Sequence, residues 1–412
     1  MNTPPRLAAF SHKGFLTFWS LNSLAMMADN MEHVITYWAS FQKFHSALLG
    51  GFAVISHWVP FLLLSVPSGI LADHFDPRRL IQIGMTMFLT CSLGWAYFIY
   101  TDTLTMPIAM GLLILHGLSG VLWSPSEQVL LFDIVGGGHV HSAVRITSSG
   151  RYLGMLCGPA IGSFLILYLT PVGGLLVNAC LYAPYIIWLF IAPFGPRYRQ
   201  AQTHVINRLH GLREVLETVR FIIQSNELRT MIALSGLAAF FVGTSYQAQM
   251  PQFATDLGNG QAGIAYAILL GADACGALLA GFSLETFARL ETKPVNAVRL
   301  CFAWALALVC FSTAHSYIVA VVSLFCAGFF DLAFNSMAMA LVQVKAPQEL
   351  RGKIIGIAVM SNLGLRMFSG INVGLMGQAW GVHHSLALSA AMVILGLGPL
   401  WWFGIKWRSH AK

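Results

Sequence analysis

The feature of this sequence that most constrains its fold is a series of long apolar runs that contain few charges. A helix that crosses the hydrocarbon core of a bilayer needs about 20 apolar residues, and such runs follow one another from residue 14 to residue 405. Only 9% of the 412 residues are charged, against about 25% in an ordinary soluble domain. So few charges cannot cover a water-soluble surface. The chain is therefore predicted to be an all-α polytopic membrane protein, which excludes a secreted enzyme, a nucleic-acid-binding domain and a disordered scaffold.

Twelve segments have the length and apolarity of membrane spans. The predicted spans are 14–40, 48–72, 79–100, 105–133, 143–169, 172–194, 229–253, 261–286, 295–313, 316–344, 353–378 and 384–405.

Between the sixth and seventh spans lies a polar stretch, 195–228, in which Leu209, Leu212, Leu216 and Val219 recur at helical spacing. This pattern predicts an amphipathic helix on the membrane surface. The predicted domains are an N-terminal six-helix bundle at 1–194, a cytoplasmic linker at 195–228 and a C-terminal six-helix bundle at 229–412.

The positions of the 23 Lys and Arg residues predict the orientation of the chain. Cytoplasmic loops carry an excess of Lys and Arg. Arg151 and Arg366 lie inside spans, and Lys43 alone lies in a loop that would face outward. Twelve spans with both termini in the cytoplasm satisfy the rule, whereas eleven spans would place the basic C-terminus outside.

Chemical motifs of enzymes and metal proteins are not found along the chain. The seven cysteines all fall in apolar runs, without a CxxC or Cys/His cluster, so neither a disulfide framework nor a metal site is predicted. We find no HExxH, no Ser/His/Asp order and no phosphate-binding Gly-rich loop. The chain is predicted to have no catalytic residues, no cofactor and no direct use of ATP.

An internal repeat indicates two related halves. The stretch from Gly69 to Asp73 ends the second span, and a stretch of the same form, Gly281 to Glu285, ends the eighth, 212 residues later. Gly158 and Gly162 in the fifth span match glycines 370 and 374 in the eleventh at the same offset. Because glycine is common here, with 39 residues, coincidence is the alternative. Duplication predicts a pathway between two six-helix bundles.

The loop after the second span carries residues suited to a conformational switch. Gly69 would allow two helices to approach closely, and Asp73 lies at the cytoplasmic helix end. Arg78 and Arg79 follow within reach of neighbouring helix ends. Such charges can hold two halves together in one state and release them in another, as alternating access requires.

The stretch 69–79 resembles the loop motif of the major facilitator superfamily, Gly-x-Leu-Ala-Asp-Arg-x-Gly-Arg-Arg, and departs from it at His74, Asp76 and Pro77. The resemblance extends over the whole chain. It implies the major facilitator fold, with twelve transmembrane helices in two pseudo-symmetric six-helix halves around a central cavity. It also implies a monomer in the bacterial inner membrane.

The fifth span, with Gly154, Gly158, Pro159 and Gly162, resembles the motif of the superfamily's proton-driven exporters. From the residues alone, glycines at four-residue steps favour close packing of helix backbones over a coupling role, and Pro159 adds a point at which the helix can bend.

Two further stretches, 123–127 and 346–353, are similar to a bacterial branch of the superfamily that includes enterobactin (siderophore) exporters.

Ionisable residues inside the first span are candidates for proton coupling, because charged groups in a membrane usually face a cavity or a partner. Asp29, Glu32 and His33 lie on one helix face, and Asp29 and His33 are within hydrogen-bonding reach. Asp29 lies deepest and is the leading candidate, since burial disfavours the charged form of a carboxylate. Hydration near the outer helix end is the alternative for Glu32 and His33. Asp273, alone in the eighth span, is a second candidate.

Further polar residues inside spans are predicted to face the substrate cavity or to pair with one another. Asp331 and Arg366 suggest a buried ion pair, with binding of an anionic ligand by Arg366 as the alternative. Glu127 is the expected partner of Arg151. The remaining members of this set are Tyr246, Gln247 and Gln249 in the seventh span, while His57 and His116 are expected to be satisfied by neighbouring helices without a functional role.

These features predict a proton-coupled secondary transporter that exports a small amphiphilic molecule, a siderophore-like metabolite or a drug. Its partners would be that substrate, protons and membrane lipids, with no nucleic acid. The alternatives are a proton symporter that imports a nutrient or siderophore, a membrane enzyme and a non-transporting sensor.

Overall fold

A computed structural model of the chain describes residues 8–195, 211–258, 262–287, 293–347 and 350–404. Within these ranges the chain forms helices joined by short turns. A 3₁₀ turn, Ala8–Ser11, precedes the first helix, and a π-helical turn, Met360–Gly364, lies between α11 and α12. The α-helices are α1 (Phe15–Phe44), α2 (Ala47–His74), α3 (Pro77–Tyr100), α4 (Met106–Ile191), α5 (Gly211–Gln224), α6 (Asn226–Phe241), α7 (Ser245–Leu257), α8 (Ala262–Phe287), α9 (Pro294–Ser312), α10 (Tyr317–Lys345), α11 (Arg351–Val359), α12 (Arg366–Trp380) and α13 (Val382–Gly404).

The helix lengths agree with twelve crossings. In the described ranges, ten helical segments are long and apolar enough to span a bilayer. One of them, Ile146–Ile191, has 46 residues, enough for two crossings at a rise of about 1.5 Å per residue. α1 has 30 residues and is the predicted first span, although its acidic residues make it less apolar than the others. The twelve-span fold is therefore confirmed.

α4 contains the fourth, fifth and sixth spans in one hydrogen-bonded run that is interrupted at two residues. Gly136 (φ 67°, ψ 172°) and Thr170 (φ 63°, ψ 165°) leave helical geometry. Thr170 precedes Pro171, and a proline disfavours helical geometry at the residue before it. The loop predicted between the fourth and fifth spans, 134–142, is thus reduced to a break at Gly136, after which the helix resumes.

Two predicted spans are each made of two helices. The seventh is divided into α6 and α7 at Gly243, whose φ of +48° favours glycine. The eleventh is divided into α11 and α12 by the π-helical turn. Short π-helical turns inside α-helices are frequently found at functional sites.

The helices form two compact units. The first comprises residues 1–44 and 56–204, and the second comprises residues 45–55 and 205–412. The start of α2 therefore packs within the second unit. The predicted domain boundaries stay a prediction. Of the predicted linker, residues 196–210 lie outside the described ranges, and residues 211–224 form the strongly amphipathic helix α5.

Large apolar side chains lie on the outside of both units as well as inside. Ile187 and Ile191 are 63% and 75% exposed in the first unit, and Ile318 and Leu395 are 73% and 68% exposed in the second. Aromatic side chains such as Trp95 fill the interiors. An apolar outer surface is that of helices surrounded by lipid.

Candidate functional site

A cluster of five ionisable side chains lies inside the first unit. Asp29, Glu32 and His33 come from one face of α1, His57 from α2 and His116 from α4. His116 is central, with Nδ1 2.8 Å from Glu32 Oε1 and Nε2 2.9 Å from Asp29 Oδ1. His33 Nε2 lies 3.2 Å from His57 Nδ1. We call these five residues the histidine–carboxylate cluster.

The cluster bears on the expectations about α1. Glu32 is not hydrated near the outer end of its helix, because it is only 1% exposed. His33 Nδ1 contacts the backbone oxygen of Asp29 at 2.8 Å, while the Asp29 carboxylate is 3.9 Å away. His116 of α4 is satisfied by a neighbouring helix, as expected, because it contacts both carboxylates of α1.

Glu32 is held by donors from three other parts of the helix bundle. Its Oε1 pairs with His116, and its Oε2 accepts hydrogen bonds from the Ser92 hydroxyl of α3 and from Asn178 Nδ2 of α4 at 3.1 Å. Asn178 also donates to Ser92 at 3.0 Å. A buried carboxylate is stable when its lone pairs are satisfied in this way.

The predicted pair of Glu127 and Arg151 is present in the first unit. Arg151 Nη1 lies 3.2 Å from Glu127 Oε2, and Asn22 donates to Oε1 at 3.0 Å. Trp123 in turn donates from Nε1 to Asn22 Oδ1 at 3.1 Å. Glu127 is fully buried while the Arg151 side chain is 30% exposed. The guanidinium thus remains partly accessible while its counter-ion is enclosed.

The second unit places Asp273 of α8 beside Tyr246 of α7. The Tyr246 hydroxyl donates to Asp273 Oδ2 at 3.2 Å, and Asp273 Oδ1 is buried without a hydrogen-bond partner among the residues that the structure describes. Gln247 also interacts with this carboxylate. Gln249, 3% exposed, donates to the backbone oxygen of Val373 at 3.0 Å. The seventh span therefore supplies polar groups to the interior, as the sequence suggests.

Asp331 and Arg366 are connected through two asparagines. Asn335 donates to Asp331 Oδ1 at 3.0 Å, and Asn362 donates to Asn335 Oδ1 at 3.0 Å. Arg366 Nη2 donates to Asn362 Oδ1 at 3.1 Å. Asn362 belongs to the π-helical turn, so the irregular backbone places the side chain that joins the two charged residues.

In the loop motif after α2, Arg78 and Arg79 make side-chain contacts within the first unit. Arg78 contacts the Asp76 carboxylate at 2.7 Å and donates to the backbone oxygen of Ala192 at 2.7 Å, so it does reach a neighbouring helix end. Arg79 donates to Gln82 Oε1 at 2.8 Å.

Asp76, a departure from the family motif, caps α3 by accepting from the Arg78 amide at 3.0 Å. Partial burial alone would raise the pKa of Asp76, but hydrogen bonds from the side chain and backbone of Arg78 outweigh it and lower the pKa below its usual value.

Among the described residues, a Cβ placed at Gly69 would meet no atom within 4 Å, and the close helix approach expected there stays a prediction. The side chains of Asp73 and Glu285 lie outside the described residues, and their switching role stays a prediction.

The glycine face of the fifth span packs closely on α1. A Cβ at Gly158 would lie 2.8 Å from the backbone oxygen of Met27, and one at Gly154 would lie 2.8 Å from the Met27 amide. A Cβ at Gly162 would lie 3.1 Å from the backbone oxygen of Met31. The helix continues through Pro159 with helical geometry. The close-packing interpretation is confirmed, and a coupling role stays a prediction.

The matching glycines of the eleventh span have a different neighbour. In the second unit, Gly370 and Gly374 pack against Gly51 of α2, where a Cβ on Gly51 would lie 2.5 Å from the Gly370 oxygen and 2.7 Å from the Gly374 Cα. The two glycine pairs of the repeat therefore pack on different helices: the first pair on α1 and the second on α2.

Sequence reasoning missed the partners that complete the first-unit sites. Asn22, Ser92 and Asn178 lie up to 146 residues from the carboxylates to which they donate. His57 lies 24 residues from His33. The available signal was a polar residue inside an apolar run. No spacing rule connects such residues across different helices.

The fold is shared with solved transporter structures. The nucleoside transporter NupG has a TM-score of 0.71 at 15% identity, with 94% of this chain and 98% of that chain covered. The xylose transporter XylE from E. coli, in an inward-open conformation, has a TM-score of 0.70 at 14% identity, with coverage of 94% and 96%. The chain therefore has the major facilitator fold, with many membrane-spanning helices.

The family model described as transmembrane secretion effector matches residues 5–406, and the chain belongs to this family of the major facilitator superfamily. It is similar to the staphyloferrin A transporter of Staphylococcus aureus, at 21% identity over 92% of this chain and 93% of the relative. It is also similar to the multidrug efflux pump Tap of Mycolicibacterium fortuitum, at 21% identity over 91% and 92%. The protein is thus a multi-pass bacterial membrane transporter.

Proposed function

We propose that this transporter exports a small amphiphilic molecule, a siderophore-like metabolite or a drug, across the bacterial inner membrane in exchange for protons. The observation that carries the direction is the secretion family model, which extends over residues 5–406. The similarity to a staphyloferrin A transporter and to a multidrug efflux pump supports both substrate classes.

Asp273 is the carboxylate on which we base proton coupling. A carboxylate inside a membrane helix is costly unless it is partnered or protonated. Its Oδ2 has the Tyr246 hydroxyl as a donor, whereas its buried Oδ1 has no hydrogen-bond partner in the described part of the chain. Binding and release of a proton there would change the charge next to α7. The participation of Asp29, Glu32 and His33 in coupling stays a prediction.

Arg151 is the proposed anchor for an anionic group of the substrate in the first unit. Its guanidinium is partly exposed and lies 6.0 Å from the centre of the Trp123 ring. A planar cation next to an aromatic face suits a flat amphiphile with a carboxylate. In the second unit, Arg366 is the corresponding candidate.

Import by proton symport is the second candidate. The solved structures of the same fold include a D-xylose-proton symporter, with a TM-score of 0.69 at 16% identity. The direction is therefore tested separately from the coupling.

The coupling test uses everted membrane vesicles with an imposed pH gradient. Asp273→Asn should reduce gradient-driven accumulation of a fluorescent drug at least about tenfold, because the amide cannot exchange a proton. Asp102→Asn is the matched control, since Asp102 lies in an exposed loop where it pairs with Lys43. Unchanged accumulation in Asp273→Asn, or in wild type after the gradient is collapsed, would refute the coupling.

The direction is tested by untargeted mass spectrometry of cells and spent medium, with the gene deleted and restored, under iron limitation and repletion. Export predicts a metabolite that accumulates inside deleted cells and decreases in the medium. A metabolite left unused in the medium of deleted cells would establish import instead.

A further inference from the structure

Three histidines from three helices meet inside the first unit. One ring nitrogen from each of His33, His57 and His116 lies within 4.8 Å of the others. The ring centres are 4.5 Å apart for His33 and His116, and 4.7 Å apart for His33 and His57. Imidazole nitrogen is a preferred ligand of zinc, nickel and copper.

The hydrogen bonds at Nδ1 determine which nitrogen of two rings carries a lone pair. His33 Nδ1 lies 2.8 Å from the backbone oxygen of Asp29, which can only accept, so this nitrogen carries the hydrogen. His116 Nδ1 lies 2.8 Å from Glu32 Oε1 and donates to that carboxylate. In the neutral rings both Nε2 atoms are therefore unprotonated, as metal binding requires. A carboxylate behind a histidine is a common outer partner in zinc sites.

Two pairs of donor atoms in the cluster have the spacing of metal ligands. Asp29 Oδ1 and His116 Nε2 are 2.9 Å apart, and both atoms are buried. His33 Nε2 and His57 Nδ1 are 3.2 Å apart. Two ligands at the usual zinc distances in a tetrahedral site lie about 3.3 Å from each other.

The charge of the cluster also calls for a cation. Asp29 and Glu32 are 8% and 1% exposed, and in the described part of the chain their ion-pair partners are histidines. Buried carboxylates are costly unless their charge is compensated. A divalent ion would neutralise both while the histidines remain neutral.

We propose that His33, His57, His116 and Asp29 form a binding site for a divalent transition-metal ion such as Zn²⁺, and that Glu32 is a positioning residue that orients His116. The ion would join α1, α2 and α4. This assignment depends neither on the direction of transport nor on proton coupling, because binding is measured without a gradient.

A second group, Glu32, Cys91 and His116, is also close enough to hold a metal. We favour the three histidines because Glu32 already accepts hydrogen bonds from His116, Ser92 and Asn178. The Cys91 thiol donates a hydrogen bond to the backbone oxygen of Leu112 at 3.2 Å. Cys91→Ser should therefore leave metal binding unchanged.

The test uses the full-length protein, purified in detergent and stripped with a chelator. Equilibrium dialysis against Zn²⁺ should give one ion per chain, and Co²⁺ should give the visible spectrum of a histidine-bound tetrahedral ion. Glu32→Gln should weaken binding about 10–100-fold, and His57→Gln should weaken it at least as much. His384→Gln is the matched control, because this exposed ring of α13 contacts only the backbone oxygen of Trp380 at the end of α12 among the hydrogen bonds of the described residues.

Three results would each overturn the site: the wild type binds no stoichiometric Zn²⁺, Co²⁺ gives no spectrum of a histidine-bound ion, or His57→Gln binds Zn²⁺ as tightly as the wild type. A loss of binding in Cys91→Ser would assign the ion to the other group. A loss in His12→Gln would assign it to the pair of His12 and His139, whose ring nitrogens are 2.8 Å apart. Gel filtration of each variant separates loss of binding from loss of folding.

Discussion

Single buried residues in this protein are stabilised by specific short-range partners. Glu127 illustrates this, since it has no exposed surface and accepts from both Asn22 and Arg151. A carboxylate enclosed in this way depends on its cation, because the charge has no access to water.

Replacing Arg151 by Met should destabilise the protein strongly. Removing one partner of a buried pair costs about 3–5 kcal/mol, and the partial exposure of Arg151 places the expected value at the lower end. The double variant Glu127→Gln with Arg151→Met should recover most of the loss, since no buried charge is left alone. Unfolding in mixed micelles measures both. A double variant as unstable as the sum of the single ones would show that the residues are independent.

Asp76 should contribute to stability in a pH-dependent way. Its pKa is lowered in the folded protein, mainly by Arg78 acting against partial burial, so its contribution is present above the unfolded pKa of about 3.9. The contribution is lost as the pH falls through the lower, folded pKa. Asn can still cap the helix, so Asp76→Asn should cost only about 0.5–1 kcal/mol at neutral pH, through loss of the charge that pairs with Arg78. The difference in melting temperature from wild type should shrink below pH 4, and a constant difference would contradict the assignment.

At the scale of elements, the glycine face of the fifth span sets how closely α4 approaches α1. A Cβ on Gly158 would lie 2.6 Å from the Asn30 Cβ as well as 2.8 Å from the Met27 oxygen. Since the second of these is a backbone atom, a side-chain rotation cannot relieve the contact.

Gly158→Ala should therefore destabilise the first unit by about 1–3 kcal/mol, the usual cost of overpacking. Gly111→Ala is the matched control within α4, because a Cβ there would meet no atom of the described residues within 4 Å. Thermal unfolding followed by circular dichroism measures both variants. If Gly158→Ala and Gly111→Ala were equally stable, α1 and α4 would be able to move apart at Gly158 without a loss of stability.

The interruptions inside spans show the limit of pattern reading at this scale. The seventh and eleventh spans were each predicted as one helix, because hydrophobic length alone does not reveal a local change in hydrogen bonding. The π-helical turn at 360–364 instead places Asn362 between Asn335 and Arg366. In the same turn, Ser361 donates to the backbone oxygen of Ile232 in α6 at 3.2 Å, a contact between helices that a local pattern does not reveal.

For the whole molecule, the distribution of Lys and Arg makes a prediction that the helices alone do not test. Both termini are expected in the cytoplasm, and the chain is expected to be a monomer. A green fluorescent protein fused after Lys412 should be fluorescent, and alkaline phosphatase at the same place should be inactive. Phosphatase fused after Lys43, in the loop expected to face outward, serves as the positive control. Active phosphatase at the C-terminus would show that this end lies outside the cytoplasm and would contradict the predicted orientation.

The sequence by itself determined the class of the protein, its twelve spans and its family, because span length and local motifs are properties of neighbouring residues. It also identified the buried charges, since each interrupts an apolar run. Only the tertiary structure decided their partners. His116 joins Glu32 across 84 residues, and Asn178 joins it across 146, because helices that are distant in the chain pack side by side. A histidine alone in an apolar run has no recognisable chemistry until that packing brings a second and a third histidine to it.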